Sequence, residues 1–172
     1  MRRSALIPLL VAFSVLAACA DKAPGVASAV LAPSHPSAAG GPETPPFNLQ
    51  VVLRGELGFG LVKFRQPNDG APIIYLDTWV RDLAPNASYV LQRAVDTNLD
   101  GECTSSAWLT LGKGLTPQTL TTDDRGTARE ELWRSVAAFP VGTSFDIHFR
   151  VVEVATGDVV LSSGCYRFRI SL

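Results

Sequence analysis

The stretch SFDIHFRVVEV, residues 144–154, sets Phe145, Ile147, Phe149 and Val151 on one face of an extended chain and Asp146, His148 and Arg150 on the other. Side chains that alternate with a period of two belong to a strand with one face in a core. The same alternation returns in LQVVLRGE (49–56), FGLVKF (59–64), IIYLDTWV (73–80), SYVLQRAV (88–95), SAWLTL (106–111) and TAREELWR (127–134). In the last run Tyr166, Phe168 and Ile170 take the core side, and Cys165, Arg167 and Arg169 the opposite one. Turn residues separate the runs at Pro67–Pro72, Pro85–Asn86, Asp123–Gly126 and Gly157–Asp158. TAREELWRS has the Glu and Leu content of a helical turn, but it is short and follows the hairpin-type turn DDRG, so it reads as a strand. With no periodic segment of helix length, the chain is expected to be all-β: an antiparallel Greek-key β-sandwich or flattened barrel of seven to eight strands.

That domain starts late. MRRSALIPLLVAFSVLAAC has two arginines, an apolar run from Ala5 to Ala18 and small residues before Cys19, the layout of a secretory signal peptide, and is too short for a stable membrane span. Leu16, Ala17, Ala18 and Cys19 resemble the lipobox of bacterial lipoproteins. The resemblance implies that Cys19 is acylated and anchors the chain to a membrane, each buried methylene contributing about 0.8 kcal/mol. Ala20 after the cysteine resembles the pattern sorted to the outer membrane if the source is Gram-negative. From Ala20 to about Pro46 the Ala, Pro, Ser and Gly content cannot bury enough surface to offset ordering, which predicts a disordered tether in which His35 is inert. The expected organisation is a signal peptide over 1–18, the lipidated cysteine and tether over 19–46, and one β domain over 47–172. Loss of Met1–Ala18 removes Arg2 and Arg3 and takes the formal charge from −1 to −3, which argues against nucleic acid as a partner.

Cys103 and Cys165 are the domain's two cysteines, in a chain bound for an oxidising compartment. They are expected to pair as a disulfide; two free thiols would be unusual in an exported protein.

The stretch DTNLDGEC (96–103) carries oxygen side chains on alternate residues, followed by Gly101. A hard cation needs several oxygens converging from one tight loop, so Asp96, Asn98, Asp100 and Glu102 form a candidate calcium site. A full EF-hand is excluded, because its twelfth position, which needs a bidentate glutamate, is Ala107. The competing reading is a polar turn made by local side-chain to backbone hydrogen bonds and pinned by the disulfide. No cofactor other than calcium is expected.

The order of motifs from Leu83 onward resembles Cu/Zn superoxide dismutases. LAPNASYVLQRAVDTNLDGECTS is similar to that family's Leu-x-Pro-Gly turn, HVH strand and polar loop ending in cysteine. LTTDDRGTAREEL, SFDIHFRVVE and SSGCYRFRI resemble its later hairpin, its "L-V-V-H" strand and its closing "A-C-G-V-I" strand. The succession covers most of residues 50–172 and implies a superoxide dismutase-like barrel, with an immunoglobulin-like sandwich as the rival. It also implies a disulfide from a loop to the last strand. The metal chemistry does not carry over. Leu91 and Arg93 stand where the family has its two HVH histidines, the polar loop holds no histidine, and His148 alone falls at a ligand-like position.

Other catalytic patterns are absent from the sequence. No G-x-S-x-G elbow accompanies His148, no P-loop spacing surrounds Lys63 or Lys113, and the pairs Asp123/Asp124 and Glu130/Glu131 point to opposite faces of a strand. Arg150, Arg167 and Arg169 would form a basic stripe beside His148 if their strands pair, a candidate surface for an acidic partner. Trp79, Trp108 and Trp133 would serve carbohydrate only if exposed together, and burial is the commoner fate of tryptophan. The expected role is a non-catalytic, lipid-anchored envelope module that binds another envelope protein or a polysaccharide. The competing class is a degenerate dismutase-like metalloprotein or an envelope hydrolase.

Overall fold

A computed structural model describes residues 48–67 and 69–171. The expected signal peptide, Cys19 and the tether lie outside the described residues. Twelve strands follow: β1 Asn48–Arg54, β2 Phe59–Arg65, β3 Ile73–Arg81, β4 Ser88–Asp96, β5 Leu109–Thr110, β6 Gly112–Lys113, β7 Thr116–Pro117, β8 Leu120–Thr121, β9 Ala128–Ser135, β10 Ser144–Glu153, β11 Val159–Ser163 and β12 Tyr166–Arg169. The domain is all-β, as its alternation requires.

The long strands wrap around one core. Hydrogen-bonded neighbours run β4-β10-β11-β1-β2-β3-β9, with β12 beside the first half of β10. The segment 109–121 spans the gap between β4 and β9: β5 and β8 pair with β4, while β6 pairs with β9. This nearly closes a flattened barrel, and the connections β3→β4 and β9→β10 cross between its two halves, which makes the topology Greek-key. Alternate residues fill the interior, among them Val51, Leu53, Val62, Phe64, Leu76 and Val80 from β1–β3, facing Leu91, Ile147, Phe149, Val151 and Phe168.

Two local details depart from the alternation. SAWLTL does not form one strand; after Thr110 the chain turns through Gly112 and Gly114 into two-residue pieces. A Cβ on Gly112 would sit 1.9 Å from the Thr116 carbonyl oxygen, so the hairpin there needs glycine. The strand β11, VVLSS, is an addition to the expected set, hidden between the Gly157–Asp158 turn and Gly164.

One end of the barrel is tied across its halves. The buried Tyr89 hydroxyl accepts a hydrogen bond from the Ala84 N–H at 3.1 Å. The buried Thr122 hydroxyl donates to the Ala84 carbonyl at 2.7 Å, and the Leu83 N–H donates to the Gly126 carbonyl at 3.2 Å. The β3–β4 loop and the turn before β9 therefore hold each other.

Candidate functional site

The outer face of β10 is covered, where its sequence suggested a solvated face. The segment 97–108 folds back over it, pinned by the Cys103–Cys165 disulfide, whose Cα atoms are 5.3 Å apart. Under this cover lies Asp146, fully buried and directly opposite Arg167 in the β10–β12 register. Arg167 donates from Nε to Asp146 Oδ1 at 3.0 Å, and the Gly101 N–H donates to Oδ2 at 2.7 Å. Burial alone would raise the Asp146 pKa. The Arg167 hydrogen bond, the Gly101 N–H and the guanidinium charge outweigh burial and hold the carboxyl below its ordinary value.

His148, two residues along the same face, is half-buried. Its ring lies against Trp108, centroids 4.5 Å apart, and Nε2 donates to the Ser105 carbonyl at 3.1 Å. Arg150 stacks its guanidinium over the same Trp108 ring at 4.1 Å and donates from Nε to Gln92 at 2.8 Å. Gln92 in turn donates to the Thr110 hydroxyl at 3.0 Å. Trp108 is thus the lid of the face, and the strand pairing that brings Gln92 beside Arg150 comes from β4.

The basic stripe is interrupted, although its strands do pair. Asp146 neutralises Arg167, Trp108 and Gln92 occupy Arg150, and Arg169 stands opposite Ser144 on an exposed position. In the DTNLDGEC loop, Asp96 accepts from the Thr104 hydroxyl at 3.3 Å and the Ser105 N–H at 3.2 Å. Asp100 accepts from the Asn98 amide and from the Glu102 N–H, while Arg167 donates to the Leu99 carbonyl at 2.6 Å. The carboxylates of Asp96 and Asp100 are turned to their own loop, and Glu102 is exposed. Among the described residues no group of three or more His, Cys, Asp or Glu is placed to hold a metal ion. Leu91 and Arg93, which align with the metal-binding histidines of the resembling family, share the inner face. Leu91 is in the core, and Arg93 stands opposite Phe149. Desolvation lowers the Arg93 pKa, and the nearby Arg134 lowers it further.

A second face lies on the other half of the barrel. The registers of β1, β2, β3 and β9 align Arg54, Phe59 and Arg81 in one outward row, Leu61, Trp79 and Arg129 in the next, and Arg65, Tyr75 and Trp133 near the far end. Guanidinium groups lie over the rings: Arg54 and Arg81 are 5.6 Å and 5.4 Å from the Phe59 centroid, Arg81 is 5.7 Å from Trp79, and Arg65 is 5.7 Å from Tyr75. Arg129 pairs with Asp77 through two hydrogen bonds at 2.9 and 2.7 Å. Arg54 and Arg65 have no carboxylate within ion-pair distance among the described residues. All three tryptophans are half-buried and none belongs to the core, contrary to the burial expected of them. The alternation of FGLVKFR and IIYLDTWVR already set these rings and cations on one face; their gathering into rows required the register.

At the β1–β2 end the barrel carries an open groove of about 530 Å³ whose lining includes Glu56, Leu57, Asp82, Glu153 and Val160. No protein-family model matches the chain, and no curated protein is similar to it in sequence.

Proposed function

We propose that this protein is a lipid-anchored envelope protein whose barrel acts as a non-catalytic binding module for an acidic polysaccharide, bound on the outward face of β1, β2, β3 and β9. The observation that carries the reading is the arginine and aromatic mosaic of Arg54, Phe59, Arg65, Tyr75, Trp79 and Arg81. Guanidinium groups in a planar fork suit carboxylates and sulfates, and the rings beneath them hold them in a row. A guanidinium already stacked on a ring is held in place, so less rotamer freedom is lost on binding. The β10 face is a weaker binding surface, because Arg150 and Arg167 are already engaged within the protein.

Support for the anchor is the order of charged, apolar and small residues before Cys19. Support for a superoxide dismutase-like barrel without its metal chemistry is the disulfide that joins the loop at Cys103 to Cys165, directly before β12.

The test is a titration of the full chain with a size-defined acidic oligosaccharide and its neutral counterpart, read by tryptophan fluorescence. Trp79 lies on the proposed face, so saturable quenching by the acidic sugar alone is expected. Arg65→Ala and Arg54→Ala should each weaken binding and flatten its salt dependence. Equal response to neutral and acidic sugars, or none to either, would sink the proposal.

A further inference from the structure

The loop between β9 and β10 exposes five apolar residues in a row, Ala137, Ala138, Phe139, Pro140 and Val141. Phe139 is 47% and Val141 60% exposed. Runs of this kind on a surface mark a functional contact. From Ser135 to Thr143 the sequence SVAAFPVGT has no charged residue.

The loop is held open. The Phe139 ring rests against Phe145 at 6.3 Å, Phe145 against Phe168 at 5.0 Å, and Phe168 against Phe64 at 4.5 Å, an aromatic series that reaches the core. Part of its backbone is tied down within the domain. The Val136 N–H donates to the Pro72 carbonyl, Ala137 to the Ser135 hydroxyl, Phe139 to Val136, Gly142 to Ile170 and Thr143 to Pro140. Pro140 has no N–H to satisfy. Such internal bonds reduce the cost of seating the loop at a bilayer surface, where water still reaches the remaining backbone groups.

Its position selects the partner. Asn48, where the preceding 47 residues join the domain, lies in register with Arg65, Tyr75 and Trp133, three strands across and at the end of the barrel where β9 leads into this loop. Four strands spaced about 4.8 Å apart put the junction roughly 14 Å from Trp133. The chain that leads back to Cys19 therefore joins the domain at the same end as the loop, and the groove at Glu56 and Leu57 is at the opposite end.

We propose that residues 137–141 are a lipid-contacting loop that seats in the surface of a phospholipid bilayer and orients the barrel on it. The inference rests on the lipid-anchored reading above for its choice of partner, and contact by the loop itself does not need acylation of Cys19. It leaves the arginine and aromatic face at the side of the barrel, clear of the bilayer.

The test uses the full chain carrying Cys19→Ser, with Val141→Cys or, as control at the opposite end, Ala155→Cys, each labelled with an environment-sensitive fluorophore. Both are mixed with vesicles of phosphatidylethanolamine and phosphatidylglycerol. The expected result is a several-fold rise and blue shift of emission at position 141, quenched by lipids carrying a nitroxide on the acyl chain, with no change at position 155. Phe139→Asp in the Val141→Cys background should abolish the change. An unchanged probe at position 141 on chains that sediment with vesicles overturns the inference while leaving the anchor reading intact; so does failure to sediment at all. A blue shift that rises with protein concentration and needs no vesicles would assign the loop to a second copy of the chain and also overturn it.

Discussion

Asp146 and Arg167 face each other across β10 and β12, but the pair is unequal: the Arg167 side chain is 53% exposed and that of Asp146 only 1%. An abandoned Arg167 can rehydrate, whereas an abandoned Asp146 cannot. Arg167→Leu is therefore expected to be the more destabilising change, since it leaves a buried carboxylate with only the Gly101 N–H. Asp146→Asn should cost less, about 2 kcal/mol, the loss of charge-assisted hydrogen bonds. Urea unfolding of both variants measures the difference, and the reverse order would refute the asymmetry.

The same pair sets a pH dependence. The Asp146 carboxyl is held below its ordinary value in the folded state, so the unfolded chain takes up the proton first as pH falls. Its contribution is present above the unfolded value of about 3.9 and is lost as pH drops through the lower folded value. Asp123, lowered mainly by hydrogen bonds from the Thr127 and Arg125 N–H groups, adds a loss in the same window. Stability should hold from neutral pH to about pH 4 and fall below it. Carboxyl carbon shifts in an NMR titration would show Asp146 titrating higher in Arg167→Leu.

Reduction should act on the same loop. The bond from Cys103 to Cys165 spans a sequence separation of 62, for which chain entropy predicts about 4 kcal/mol. The paired Cys103→Ala, Cys165→Ala variant should lose stability approaching that figure. Because the disulfide and Asp146 both hold residues 99–103, their effects should not add, and a double-mutant cycle should give a coupling of about 1 kcal/mol. Strict additivity would show that the two restraints act separately.

Where the alternation is clean, face assignments were legible. Phe145, Ile147, Phe149 and Val151 entered the core as SFDIHFRVVEV indicates, with only Phe145 left partly exposed. What covers the other face was not legible, because Trp108 reaches His148 and Arg150 from 40 residues away in sequence, and nothing local in SAWLTL specifies that contact. The pairing of Arg167 with Asp146 depends likewise on a register between strands, across a sequence separation of 21. Alternation reports which side a residue takes and is silent about what packs on that side.

Calcium is not expected to move the melting temperature. Asp96 and Asp100 already accept hydrogen bonds from Thr104, Ser105, Asn98 and Glu102, and an ion would have to displace them. Thermal unfolding after chelation, with and without millimolar calcium, checks this, because a ligand that binds only the folded state raises the midpoint. A rise that vanishes in Asp100→Ala would establish the loop as a calcium site.

Gly126→Ala should be among the most damaging small substitutions in the barrel. The residue has φ +73°, and a Cβ there would lie 2.0 Å from the Leu83 carbonyl oxygen. The strained backbone costs about 1–3 kcal/mol, and the collision adds to it. The methyl cannot be accommodated by a rotamer change, since the atom it meets is backbone. The Leu83 N–H donates to the Gly126 carbonyl, so moving either segment breaks that bond as well. Gly70→Ala, at φ +77° with open space around its Cβ, isolates the backbone cost. Gly126→Ala should lower the unfolding midpoint clearly further than Gly70→Ala. Equal losses would mean that the β3–β4 loop yields to the turn, and that the two halves of the barrel are less firmly joined at Leu83 than their hydrogen bonds indicate.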